Sequence, residues 1–453
     1  MTSPLLFISD PHSSLITDFY QLTMGACYHH FDSQAIATFE YFLRPQSARS
    51  YYVFAGGELL LDYLEQLSFS EEQIHYLKSL QPFKRVSPEF FDFLAHFRFQ
   101  GEVRMCGEGQ IVFPSEPLVQ IRGTLIEAQF VETYLLSLLN FQTMIATKAA
   151  RILAAAQGRP VFEFGTRRAH GPQAGVLAAR ASYLAGFAGT SNVLAGYHWD
   201  IPVTGTAAHS FILSHASEEE AFRHYYELFQ EETTLLIDTF DTVKGAKKAA
   251  QVGELLKGVR IDSGDLAGLS QEVRRILDQK GHSAAKIIAS NDLNEERIEA
   301  LLEQKACIDA FGVGTELVTS RDQPALSGVY KLVEIEEGGK KQGKMKLSAS
   351  KISYPGRKQI FRQFHEKKAV QDLLALAEES LEGEPLLETV MIQGKRVRPP
   401  QSLLQVRDNH QRFKKQFSPA FFSHHSSSLY PIQASEALST LQKSLQDSLQ
   451  KNV

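Results

Sequence analysis

Between residues 160 and 330, a series of short apolar segments each stops on side chains able to do chemistry. In order they deliver Phe164, Gly165, Thr166, Arg167 and Arg168; Ser191 and Asn192; Thr206 and His209; Asp238 and Asp241; Arg260, Asp262 and Asp265; Asn291 and Asp292; and Gly312, Gly314 and Thr315. Any one of these is accounted for by a helix cap or a turn. Collected on one rim, they suit the handling of a phosphorylated sugar. The Arg167 fork matches phosphate or carboxylate with paired N–H donors. The run Gly312-Val313-Gly314-Thr315 can turn successive backbone N–H groups toward an anion. Asp238 and Asp262 can hold ribose hydroxyls or the water shell of Mg2+, a cation that keeps its waters and takes few carboxylates. Phe164 offers a ring face. His209 carries a donor and an acceptor and can act as a nucleophile toward phosphorus. It is one of 15 histidines, and its place at a strand end sets it apart.

Positioning such a rim takes strands of one sheet ending side by side. The segments alternate with helical stretches of 10–15 residues, the pattern of a parallel sheet, and six or seven such units suit an irregular α/β barrel better than an open sheet. Its central stretch is GVRIDSGDL, residues 258–266, a strand running into a turn crowded with charge. Residues 1–140 read as an α+β domain, residues 141–325 as the barrel, and residues 326–453 as a β-rich segment ending in an amphipathic helix that packs back on the N-terminal domain. In the N-terminal part, Thr17 or Asp18 can cap a helix whose inner stripe is Phe19, Leu22, Thr23 and Ala26, leaving Tyr20 off the stripe as a half-buried ring or a stacking platform. The strand 35–45 is expected to alternate, and residues 370–405 to be β-rich.

Composition excludes several classes. The 453 residues are 43% hydrophobic and 22% charged, with a formal charge of −5 and no basic block, so a nucleic-acid partner is not expected. Cys27, Cys106 and Cys307 are scattered, forming neither a disulfide framework nor a zinc site. No signal peptide and no membrane span are expected, which points to a cytoplasmic protein.

The motifs TDFYQLTM, FEFGTRRAHGPQ, GTSNVLAG, GTAAHSF, LLIDTFDT, GVRIDSGDL, ASNDL and FGVGTELVTS, followed by GVYKLV, together resemble nicotinate phosphoribosyltransferase, in the same order from about residue 15 to about residue 365. The resemblance implies a type II phosphoribosyltransferase: an irregular α/β barrel with an open-faced β domain built from the N- and C-terminal parts, acting as a homodimer. It implies joining nicotinate to 5-phosphoribosyl 1-diphosphate, giving nicotinate mononucleotide and diphosphate, with ATP hydrolysis coupled through a phosphorylated His209. By the same resemblance, Tyr20 from the partner subunit and Phe164 flank the pyridine ring. Arg260 and Thr206 hold nicotinate, Arg167, Gly312, Gly314 and Thr315 hold phosphates, and Asp238 and Asp262 lie near ribose and Mg2+.

Substrate choice turns on Ser191. Related nicotinamide enzymes carry an Asp in the turn that here reads Gly189-Thr190-Ser191-Asn192. A neutral side chain there, with Arg260 nearby, favours the acid over the amide. Quinolinate phosphoribosyltransferase would carry more basic residues, and an aldolase-like barrel would want a strand-end Lys. A non-catalytic nucleotide-binding protein on the same fold would have lost His209, Asp238, Asp262 or Arg260, and all four are present.

Overall fold

A computed structural model describes residues 10–31, 33–45, 49–346, 353–423, 425 and 429–451. The chain forms two compact units, one from residues 1–144, 325–418 and 427–453, the other from residues 145–324 and 419–426.

The first unit is built on a seven-stranded antiparallel sheet. Its central strands Ile36–Leu43, Val119–Thr124 and Glu102–Cys106 come from the N-terminal part. Lys340–Gly343 and Gly328–Glu337 flank them on one side, Leu387–Ile392 and Lys395–Arg396 on the other. The open-faced β domain is thus one sheet shared by the two ends of the chain. Strand Ile36–Leu43 does not alternate as expected, because both of its faces are covered. Glu40, 1% exposed, is therefore held by the Lys358 ammonium at 2.7 Å, and burial raises the carboxyl pKa while lowering that of the amine. Leu438 of the last helix, Glu436–Lys451, joins the same core as Leu60, Leu64 and Phe130. A helix over Leu403–Lys414 stands where β structure gives out; the Ser402–Gln405 capping box starts it.

The second unit carries six short parallel strands: β1 (Val161–Glu163), β2 (Gly189–Thr190), β3 (Thr234–Leu236), β4 (Gly258–Ile261), β5 (Lys286–Ala289) and β6 (Ala310–Val313). Their order is β2-β1-β6-β5-β4-β3, and a bridge from Thr190 to Val203 extends the β2 edge. The last strand of this sheet therefore lies beside its first, as in a barrel, while among the described residues no ladder joins the two edges. Closure is irregular. Residues 189–190, expected as turn, are strand because Ala188 and Ser191 bond to the β1 backbone. Among the described residues, no helix is long and apolar enough to cross a membrane.

Register places the chemistry. Ile261 pairs with Ala289, so Asp262 and Ser290 leave their strands level with each other. Leu236 pairs with Arg260, which sets Asp238 level with Asp262. Glu163 pairs with both Thr190 and Val313, so the FEFG and GVGT turns start side by side.

Candidate active site

The ends of β1, β2 and β4, with the segment 205–210, enclose a cavity of about 530 Å³. Phe164, Arg167, Ser191, Thr206, His209, Arg260 and Asp262 all line it. A smaller recess of about 130 Å³ shares Phe164, Arg167, Arg260 and Asp262 and adds Arg168, Ser290, Asn291, Gly312, Gly314 and Thr315. Many of the strand-end residues picked from sequence thus line two hollows with shared walls, while Asp238, Asp241, Asp265 and Asn192 line neither.

Arg260 is held on every side of its guanidinium. It donates from Nη1 to Thr206 Oγ1 at 2.6 Å, from Nε to Ser290 Oγ at 3.0 Å, and from Nη2 to Asp262 Oδ1 at 3.2 Å. Ser290 also donates to Asp262 Oδ1. Such a knot fixes the fork's plane, which a flexible Lys could not reproduce. Asp238 lines neither hollow and is 8% exposed. Its Oδ2 accepts from the Asp262 backbone N–H at 2.9 Å and from Ser263 Oγ at 2.6 Å, while Oδ1 is buried with no hydrogen-bond partner. The turn that carries Asp262 is thus clamped by a second carboxylate with one oxygen to spare.

His209 opens the helix His209–Leu213. Its Nδ1 lies 3.1 Å from Thr239 Oγ1, and its Nε2 lies 3.9 Å from Asp262 Oδ2. The ring is oriented by a hydroxyl on one side and faces a carboxylate on the other. Gly312 lets Phe164 lie against β6, since an added Cβ would sit 2.5 Å from the ring's Cδ2. Arg167 and Arg168 are exposed and form no ion pair among the described residues, so both are available to an anion.

Other strand-end residues are structural. Asp241 Oδ1 caps the helix Thr242–Ala249, and Asn192 Oδ1 caps Val193–Trp199. Tyr20 belongs to the other unit, on helix Phe19–His30, where its ring is 48% exposed. Sequence reasoning missed Ser290, Thr239 and Glu163. The only signal for Glu163 was a carboxylate in an otherwise apolar strand. Among the described residues, no cluster of three His, Cys, Asp or Glu is placed to hold a metal directly.

Residues 15–140 match the family model for the nicotinate phosphoribosyltransferase (NAPRTase) N-terminal domain, and residues 160–378 match that for the NAPRTase family. The chain is 44% identical over 392 residues to nicotinate phosphoribosyltransferase pncB2 of Mycobacterium tuberculosis, covering 85% of this chain and 83% of that protein. It is 40% identical over 391 residues to the nicotinate phosphoribosyltransferase of Bacillus subtilis, covering 83% and 79%. Human nicotinic acid phosphoribosyltransferase superposes with a TM-score of 0.83 at 29% identity, over 95% of this chain and 99% of that one.

Proposed function

The chain belongs to the nicotinate phosphoribosyltransferase family, and we propose that it joins nicotinate to 5-phosphoribosyl 1-diphosphate, forming nicotinate mononucleotide and diphosphate in NAD salvage, with ATP hydrolysed to ADP and phosphate through His209. The observation that carries this reading is Arg260, braced by Thr206 and Ser290, opening with the neutral Ser191 on one cavity. A planar cation with further N–H donors, sharing that wall with a neutral Ser191 where an Asp would favour an amide, favours a carboxylate.

Nicotinate lies with its ring on Phe164 and its carboxylate on Arg260 and Thr206, which aims the pyridine nitrogen at the sugar. As that nitrogen bonds to the anomeric carbon, the bond to diphosphate breaks. Positive charge grows on the ribose, where Asp262 opposes it, with Asp238 behind it clamping the turn that carries Asp262. Negative charge grows on diphosphate, where Arg167 and the backbone around Gly312, Gly314 and Thr315 receive it. The spare Asp238 oxygen and the Asp262 carboxylate would hold a Mg2+ through its waters, and such an ion would supply charge neutralisation to the leaving diphosphate. An imidazole nitrogen of His209 attacks the terminal phosphorus of ATP, ADP leaves, and water later releases phosphate. The phosphate held meanwhile on His209 adds negative charge beside the diphosphate site. The active assembly is a homodimer in which Tyr20 completes the nicotinate site of the other subunit, a role supported by its exposed ring.

The test is mononucleotide formation from 5-phosphoribosyl 1-diphosphate and Mg2+, with nicotinate, with and without ATP, in the wild type and His209→Ala. Product that ATP stimulates in the wild type and not in the variant supports the reading. Bound substrate without product would assign the chain to ligand binding alone.

A further inference from the structure

We propose that Glu163, acting with Thr190, is a positioning residue that locks the turn bearing Phe164 and Arg167 to the turn bearing Ser191, making one rigid cradle for the pyridine ring; the proposal rests on the function assigned above. Glu163 is fully buried and lines neither hollow. It lies in β1 two residues after Val161, on the side of the strand where an apolar residue would ordinarily pack. Burying a carboxylate there is costly unless its oxygens are bonded.

Both oxygens are bonded, each to a different turn. Oε1 accepts from the Gly165 backbone N–H and Oε2 from the Thr190 hydroxyl. The Glu163 carbonyl accepts from the Ser191 N–H at 2.9 Å. Thr190 Oγ1 accepts from the Asn192 N–H at 2.9 Å, and Asn192 Nδ2 donates back to Thr166 Oγ1 at 3.0 Å. The bonds close a ring from one turn to the other and back. Burial pushes the Glu163 carboxyl up, against the pull of the Thr190 hydroxyl and the Gly165 and Thr166 N–H groups. A group this costly to bury, spent wholly on two backbone turns, acts through the side chains those turns carry.

Thr190→Val removes one hydroxyl from a buried site at nearly constant volume, and Thr190→Ser keeps it. The expected result for Thr190→Val is a KM for nicotinate raised roughly tenfold, with a smaller rise in the KM for 5-phosphoribosyl 1-diphosphate, since a small misplacement of the cradle acts first on the ring it holds and less on the flexible Arg167 side chain of the same turn. Thr190→Ser and Glu163→Gln should return the nicotinate KM to within about threefold, because the amide of Gln still accepts from Gly165 and can donate to Thr190. Hydrogen exchange of the ligand-free protein gives a second readout: Thr190→Val should speed exchange in residues 164–168, across the ring from the substitution. A Thr190→Val protein with unchanged nicotinate KM and unchanged exchange at 164–168 overturns the proposal. So does one in which both KM values rise by the same factor while kcat and Tm fall together. A wild type that makes no mononucleotide would defeat the assigned function alone, and exchange at 164–168 would still decide the lock.

Discussion

Replacing Arg260 with Gln tests substrate choice quantitatively. Gln is neutral and ends where the Arg Nε stands, so it can still bond to Ser290 and the fold around β4 should persist. What disappears is the charged fork that holds Thr206 at 2.6 Å and Asp262 at 3.2 Å and that the proposed function assigns to the substrate carboxylate. Losing a charge-assisted contact to a desolvated carboxylate costs about 3 kcal/mol, which is roughly a 150-fold fall in kcat/KM for nicotinate. Nicotinamide, which offers a neutral amide, should lose about 1 kcal/mol, or roughly fivefold. Damage from removing the cation beside Asp262 is common to both substrates and cancels in their ratio. Preference for the acid should therefore fall roughly 30-fold, by the difference of about 2 kcal/mol between the two losses. The assay is mononucleotide formation with each labelled base, varied at saturating 5-phosphoribosyl 1-diphosphate. An unchanged ratio, however large the loss in rate, would refute the assignment of Arg260 to the carboxylate.

Gly312→Ala places a Cβ 2.5 Å from the Phe164 ring, so the ring must turn, and nicotinate KM should rise at least about tenfold while the Tm moves little; steady-state kinetics beside a thermal melt will show it. Asp238→Asn keeps the size of a side chain whose spare oxygen is buried but removes its charge, so half-maximal activity should need several-fold more Mg2+, read from a Mg2+ titration. His410, fully buried with Nδ1 on the Gly109 carbonyl at 2.8 Å, is pushed down to about 4 from an ordinary 6.5 by burial. Between those values the unfolded chain binds the proton and the folded chain does not. Its stabilising contribution is therefore complete above pH 6.5 and is lost as pH falls toward 4. Denaturant melts at pH 7 and pH 5 should show His410→Gln losing about 2 kcal/mol less than the wild type over that interval.

Much of this site can be read directly from the chain, because a parallel sheet brings its strand ends to one rim whatever the helices between them do. That is why Phe164, Arg167, Thr206, His209, Arg260 and Asp262 could be grouped before any coordinates, and why they line one cavity. Ser290, Thr239 and Glu163 were harder. A hydroxyl at a turn looks like a capping group until register shows that Ser290 stands level with Asp262, 28 residues away. Asp241 and Asn192 show the reverse: they have the right type and place, and they cap helices. Near the C-terminus, the helix Leu403–Lys414 follows the Arg396 contacts to Glu58, Asp62 and Glu65, which reach across more than 300 residues and leave no local pattern. Strand Ile36–Leu43 lost its alternation for a similar reason, since the cover on its second face comes from Lys358 and its neighbours.

The most direct measurement is a competition. Equal nicotinate and nicotinamide are offered together to the wild-type protein with 5-phosphoribosyl 1-diphosphate, Mg2+ and ATP, and the two mononucleotides are separated and counted. An Arg260 fork beside a neutral Ser191 predicts nicotinate mononucleotide as the dominant product. Nicotinamide mononucleotide in equal or greater amount would contradict the reading of the cavity from which the function is drawn.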